Sequence, residues 1–101
     1  MAKFALLVEV KAKPGKESEV EAFLKKEAAL ASREPGTLTW SAAKDEGNHG
    51  VYAIYDTYDD EAGRQAHLNG LAGQEFTAAV KAGELFAEAP KIYFLQVVAE
   101  R

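Results

Sequence analysis

The sequence contains no cysteine and only two histidines, three prolines and one methionine among its 101 residues. Without a thiol there is no disulfide scaffold, thiolate nucleophile, zinc ribbon or cysteine-ligated iron–sulfur cluster, and two imidazoles are a poor stock for a transition-metal site. The expectation is a cytoplasmic protein with no metal. Long apolar runs are also missing: Phe4 to Val8 is short and follows Lys3, which predicts neither a signal peptide nor a transmembrane helix. There is no basic excess either. Twelve Lys and Arg against sixteen Asp and Glu leave a net charge of −4, the wrong sign for neutralising phosphates or an anionic leaflet, so neither nucleic acid nor a membrane is an expected partner. Gly47, Gly50, Gly63, Gly70, Gly73 and Gly83 never take the spacing of a dinucleotide or P-loop fingerprint. Ser18, Ser32 and Ser41 sit in no nucleophile elbow, and no bound cofactor is expected.

What is present is an ordinary globular balance, 48% hydrophobic and 28% charged, with no linker, repeat or low-complexity tract, which predicts one domain over residues 1–101. From Lys3 to Ala12 the residues Phe4, Leu6, Val8, Val10 and Ala12 alternate with more polar ones, the period of a half-buried strand. Pro14-Gly15 stops it. Val20, Phe23, Leu24, Ala28 and Ala31 then recur at helical spacing up to Glu34-Pro35-Gly36, with two candidate starts, a capping box of Ser18 and Glu21 or a beginning already near Lys16. Thr37 to Lys44 and Gly50 to Tyr58 read as an antiparallel hairpin around the polar loop Asp45 to His49. Asp59 or Asp60 caps a short helix that ends at Asn69-Gly70, and Phe76, Ala79 and Val80 carry a further helical stretch to Gly83. After Pro90, Lys91 to Ala99 is apolar enough to predict a strand covered on both faces.

The order is β-α-β-β-α-β, the split βαβ arrangement of a ferredoxin-like α+β fold with one four-stranded antiparallel sheet and helices on one face. On the other face Leu7, Ala43, Tyr52 or Tyr55, Leu95 and Val97 would form more apolar surface than a monomer normally exposes, and a homodimer is the simplest cover.

The segment Tyr58-Asp59-Asp60-Glu61-Ala62-Gly63-Arg64-Gln65-Ala66-His67, in which an aromatic ends the third strand, an acidic cap opens a short helix and Ala-His closes it, resembles the antibiotic biosynthesis monooxygenase (ABM) domain family. Lys13-Pro14-Gly15-Lys16-Glu17, Glu34-Pro35-Gly36-Thr37-Leu38 and the strand from Tyr93 to Val98 resemble the same family in the same order. The resemblance implies a dimeric α+β barrel with two sheets packed face to face, and oxidation of a hydroquinone or polycyclic phenol by dioxygen without metal or flavin. The family pattern is not fully kept. Where haem-degrading relatives carry Asn, Trp and His, the matching positions here are Val8, His67 and Thr77, so haem degradation is not expected. The second histidine of many quinol-oxidising relatives falls in Leu68-Asn69-Gly70-Leu71-Ala72, which has none.

His67 is the candidate catalytic residue: an imidazole beside an aromatic cavity can take the proton of a phenol. The alternative is a histidine that merely caps a helix C-terminus. Trp40, Tyr52, Tyr55, Tyr58, Phe76 and Phe86 form the candidate substrate pocket, suited to a small, flat, quinol-like ligand, though the same residues suit an ordinary core or dimer interface. His49, in the polar hairpin loop, is expected to be solvated. An alternative to the monooxygenase is a non-catalytic dimeric module of the same fold that only binds a small ligand.

Overall fold

In the computed structural model, which describes residues 1–101, the chain runs β1 (Phe4–Lys11), α1 (Glu17–Ala31), β2 (Thr37–Lys44), β3 (Val51–Tyr58), α2 (Glu61–Asn69), α3 (Leu71–Ala82) and β4 (Lys91–Gln96). The strands form one antiparallel sheet in the order β2-β3-β1-β4. This is the ferredoxin-like α+β arrangement, with its second helical region split in two. Both crossovers skip a strand, so the middle of the sheet is built from β1 and β3, which lie far apart in sequence.

The period-two pleat sorts each strand into two sets. Leu6, Val8 and Val10 pair with Asp56, Ile54 and Tyr52 on the side that the helices cover. Val10, Ala12, Val20, Leu24, Tyr52, Ile54 and Phe86 form the core there, and the Phe86 ring lies 6.2 Å from that of Phe23 and 6.0 Å from that of Phe76. On the other side Leu7 pairs with Tyr55 and with Tyr93, and the two tyrosines remain 41% and 45% exposed.

Two local expectations are corrected. Ser18 and Glu21 form no capping box: α1 starts at Glu17 after Lys16, without a side-chain cap, and Glu17 and Glu19 instead place negative charge in the first turn, where the helix dipole favours it. The last strand is shorter than Lys91 to Ala99 and is not covered on both faces. As an edge strand only partly covered by the helices it leaves Ile92, Tyr93 and Phe94 about half exposed.

The split helical region is held by its ends. The Gly63 N–H donates to Asp60 Oδ1 at 2.8 Å, capping α2. At the start of α3, a Cβ on Gly73 would collide with the Leu68 carbonyl, so glycine there lets α3 fold back tightly on α2. No helix is long and apolar enough to cross a membrane.

Candidate functional site

Helical and strand periodicity bring four titratable side chains to the space between the sheet and the helices. On α1, Val20, Leu24, Glu27 and Ala31 form the buried stripe, which carries the Glu27 carboxyl inward. On β3, Asp56 shares the parity of Tyr52, Ile54 and Tyr58 and therefore faces the helices. The buried residues of α2 are Arg64 and His67, one turn apart. Glu34 comes from the connection between α1 and β2.

His67 lies between two carboxyls. Its Nδ1 is 2.6 Å from Glu34 Oε1, and because a carboxylate only accepts, the proton of this bond belongs to Nδ1. Thr37 Oγ1 donates to the same Glu34 oxygen at 2.8 Å. On the other side of the ring, Nε2 is 3.2 Å from Asp56 Oδ2, which also accepts a 2.9 Å hydrogen bond from the Tyr58 hydroxyl. The rings of Tyr58 and His67 are 5.7 Å apart.

Three buried carboxyl oxygens, on Glu27, Asp56 and Glu75, have no such partner, and the first two belong to residues at this site. Asp56 is 2% exposed and Glu27 4% exposed, and Asp56 Oδ1 and Glu27 Oε2 are buried without a hydrogen bond. Burial pushes the Asp56 carboxyl above the usual range, against the opposing pull of the Tyr58 hydrogen bond and the His67 charge. Burial, reinforced by the charge of Glu75, pushes Glu27 up to about 7. Tyr58 is pushed up by its own burial and by the Asp56 charge, so it stays a donor.

A cavity of about 110 Å³ joins these groups, with Leu6, Val8, Trp40, Ile54 and Phe76 among its walls and Glu27, Asp56 and His67 as its titratable groups. Val8, His67 and Thr77, which are far apart in sequence, all reach it. No group of three or more His, Asp or Glu side chains is arranged to hold a metal ion.

Of the aromatics expected around a pocket, Trp40 and Phe76 line this cavity together with His67. The other four are placed elsewhere, each for a physical reason. Tyr52 faces the helices but reaches α1, where its hydroxyl donates to Glu21 Oε2 at 2.7 Å, and it lines a separate, more open groove against β2. Tyr58 is fully buried behind Asp56. Phe86 is part of the phenylalanine cluster of the core. Tyr55 differs in parity from Tyr52 and Tyr58 and stands on the opposite face of the sheet. The His67 ring turns inward to Glu34 and Asp56 instead of capping its helix end; only its carbonyl takes part there, accepting from the Gly70 N–H. His49 is largely exposed, 3.3 Å from Glu17 Oε2.

Sequence reasoning assigned no role to Glu27, Glu34 or Asp56. The signal for two of them is present: Asp56 is a charged residue on the apolar parity of a strand, and Glu27 lies three residues after Leu24 and four before Ala31 on an apolar helical stripe.

The model of the antibiotic biosynthesis monooxygenase family matches residues 3–82. No curated protein matches the chain. Among solved structures, a protein of unknown function from Nitrosomonas europaea is 37% identical, with a TM-score of 0.90 over 100% of this chain and 94% of that one. A protein from Caulobacter crescentus CB15 named as an antibiotic biosynthesis monooxygenase is 24% identical, with a TM-score of 0.84 over 97% and 92% of the two chains. A Pseudomonas aeruginosa protein is 22% identical, with a TM-score of 0.82 over 98% and 97%. The last two likenesses are of fold. The family match spans most of the chain and takes in β1, α1, the hairpin and the two helices that build the cavity: the protein belongs to the antibiotic biosynthesis monooxygenase family.

Proposed function

We propose that the protein is a cofactor-independent monooxygenase that oxidises a hydroquinone or polycyclic phenol with dioxygen in the cavity between sheet and helices. The observation that carries this reading is the Glu34–His67–Asp56 chain opening on a cavity walled by Trp40 and Phe76. Glu34 holds the Nδ1 proton and so fixes the tautomer that leaves Nε2 toward Asp56 and the cavity. A substrate hydroxyl placed there loses its proton to the Nε2–Asp56 pair, and the imidazolium that forms has a carboxyl at each nitrogen. The phenolate is a far better electron donor to dioxygen than the phenol. One oxygen atom ends in the product and the other leaves as water: an anthrone gives an anthraquinone, a hydroquinone a hydroxyquinone. In both cases all four electrons come from the substrate.

The second half of this reading is a homodimer. Leu7, Tyr55 and Tyr93 adjoin on the sheet face that no helix covers, and a second copy of the same face would bury them as an α+β barrel.

Oxygen uptake with a panel of naphthohydroquinones and anthrones tests the activity. Consumption well above the spontaneous rate, with stoichiometric product, supports the monooxygenase. A rise in melting temperature with these compounds but no oxygen uptake would instead favour a binding module.

A further inference from the structure

Glu27 is not used by the proton transfer proposed above, yet it is the carboxyl whose placement most requires an explanation. It projects from α1, in the helix layer, into the same cavity that Asp56 enters from the sheet. Each carboxyl has one oxygen with no partner at all, and each side chain is more than nine-tenths buried. A buried acceptor left unpaired is costly, and native structures keep few of them. Here the two residues that carry such oxygens line one cavity, from different walls, with apolar residues around them.

The nearby charges do not satisfy Glu27. Lys26, its neighbour on α1, is engaged with Glu75 of α3 at 3.3 Å. Glu75 and Glu34 oppose its ionisation, while Lys26 favours it. Burial and these like charges push the carboxyl up to about 7, so near neutral pH it is able to accept a hydrogen bond from a ligand hydroxyl.

We infer that Glu27 is a second ligand-binding residue of this cavity, and that with Asp56 and His67 it selects an aromatic diol over an aromatic ring bearing a single hydroxyl. One hydroxyl donates at Asp56 Oδ1 or His67 Nε2, the other at Glu27 Oε2, and the ring lies between them against Trp40 and Phe76. This rests on the proposed function and narrows its substrate class from phenols in general to hydroquinones.

The test compares anaerobic binding of 1,4-naphthohydroquinone with that of its monomethyl ether, 4-methoxy-1-naphthol, by calorimetry, so that no turnover intervenes. The intact protein should bind the diol about tenfold more tightly or better, the worth of one good hydrogen bond to a buried group. Glu27→Leu, of similar volume and apolar, should abolish that preference by weakening the diol while leaving the ether unchanged. Glu27→Gln, which keeps an acceptor, should restore part of it. A purely structural Glu27 would alter the melting temperature of these variants without moving the ratio of the two affinities. Equal affinity of the intact protein for diol and ether, or a preference that survives in Glu27→Leu, overturns the assignment while leaving the monooxygenase reading standing. Failure of both compounds to bind overturns the two together.

Discussion

The imidazole of His67 and the carboxyl of Glu34 meet at 2.6 Å, Nδ1 to Oε1, across 33 residues of sequence. This contact ties the α1–β2 connection to α2 and orients the ring toward Asp56. Removing the ring should therefore act on stability as well as on chemistry. His67→Ala takes one partner from each of two largely buried carboxyls, leaving Glu34 with Thr37 and Asp56 with Tyr58, and should cost about 1–3 kcal/mol in a denaturant titration, besides lowering quinol-dependent oxygen uptake by roughly 10²- to 10⁴-fold. Glu34→Gln keeps an acceptor for Nδ1 and should retain most of the stability while slowing turnover. A His67→Ala variant with unchanged oxygen uptake would remove His67 from the chemistry.

The raised Glu27 carboxyl has a sign that can be checked. In the folded chain it holds its proton up to about 7, against an ordinary glutamate value of 4.5, so between these limits the native state binds more protons than the unfolded one. Stability from this group is then fully present below the unfolded value and is lost as pH rises through about 7. Urea midpoints at pH 5 and pH 8 should show a loss on the order of 2 kcal/mol. In Glu27→Gln the decline should be visibly smaller, and an unchanged decline would show that Glu27 does not titrate in this range.

The fold was legible because periodicity and punctuation agree along this chain: the alternation from Phe4 to Ala12, the Pro14-Gly15 and Pro35-Gly36 breaks and the Asp60 cap each mark a boundary that the structure keeps. The site was only partly legible. Trp40, Phe76 and His67 were singled out and meet in one cavity, but a sequence does not state which strand lies opposite which helix, and so could not separate Tyr52, reaching α1, from Trp40. The parity of β3, which excludes Tyr55 and admits Asp56, depends on the register of pairing with β1, a contact across more than forty residues. The exposure of β4 was hidden for a related reason: its composition is that of a covered strand, and within one chain it is covered only in part, by Arg64 over Phe94 and where Ile92 joins the cavity wall.

Arg64 should be the costliest polar residue of α2 to replace. Its Nη1 donates to the Ala5 and Leu95 carbonyls at 3.1 and 3.2 Å, its guanidinium pairs with Glu61, and it lies 5.0 Å from the ring centres of Phe4 and Phe94. It thereby fastens the helix to both β1 and the edge strand β4. Arg64→Ala should lose about 2–4 kcal/mol, combining two backbone hydrogen bonds with ring stacking. Arg64→Lys should recover little of this, because an ammonium cannot span two carbonyls and two rings as a planar fork does. Faster amide exchange in β4 of either variant would locate the damage; a loss below about 0.5 kcal/mol would contradict this account.

The exposed sheet face yields the last prediction. Leu7 on β1 is flanked by Tyr55 on β3 and Tyr93 on β4, and the two tyrosines are more than a third exposed while the matching positions on the helix side are largely buried. Packing this face against its own copy in a two-fold arrangement would place each tyrosine in the interface twice, once from each chain. Light scattering after size exclusion should accordingly give about twice the 10.9 kDa chain mass at micromolar concentration. Tyr93→Glu would bring two carboxylates into that interface, each losing solvation without gaining a partner, a cost of several kcal/mol that a face of this size does not absorb. The variant should run as a 10.9 kDa monomer with its helical circular dichroism intact, since residue 93 lies away from the core and the helices. If the intact chain is itself a monomer at tens of micromolar, the homodimer fails and the exposed face must serve another partner.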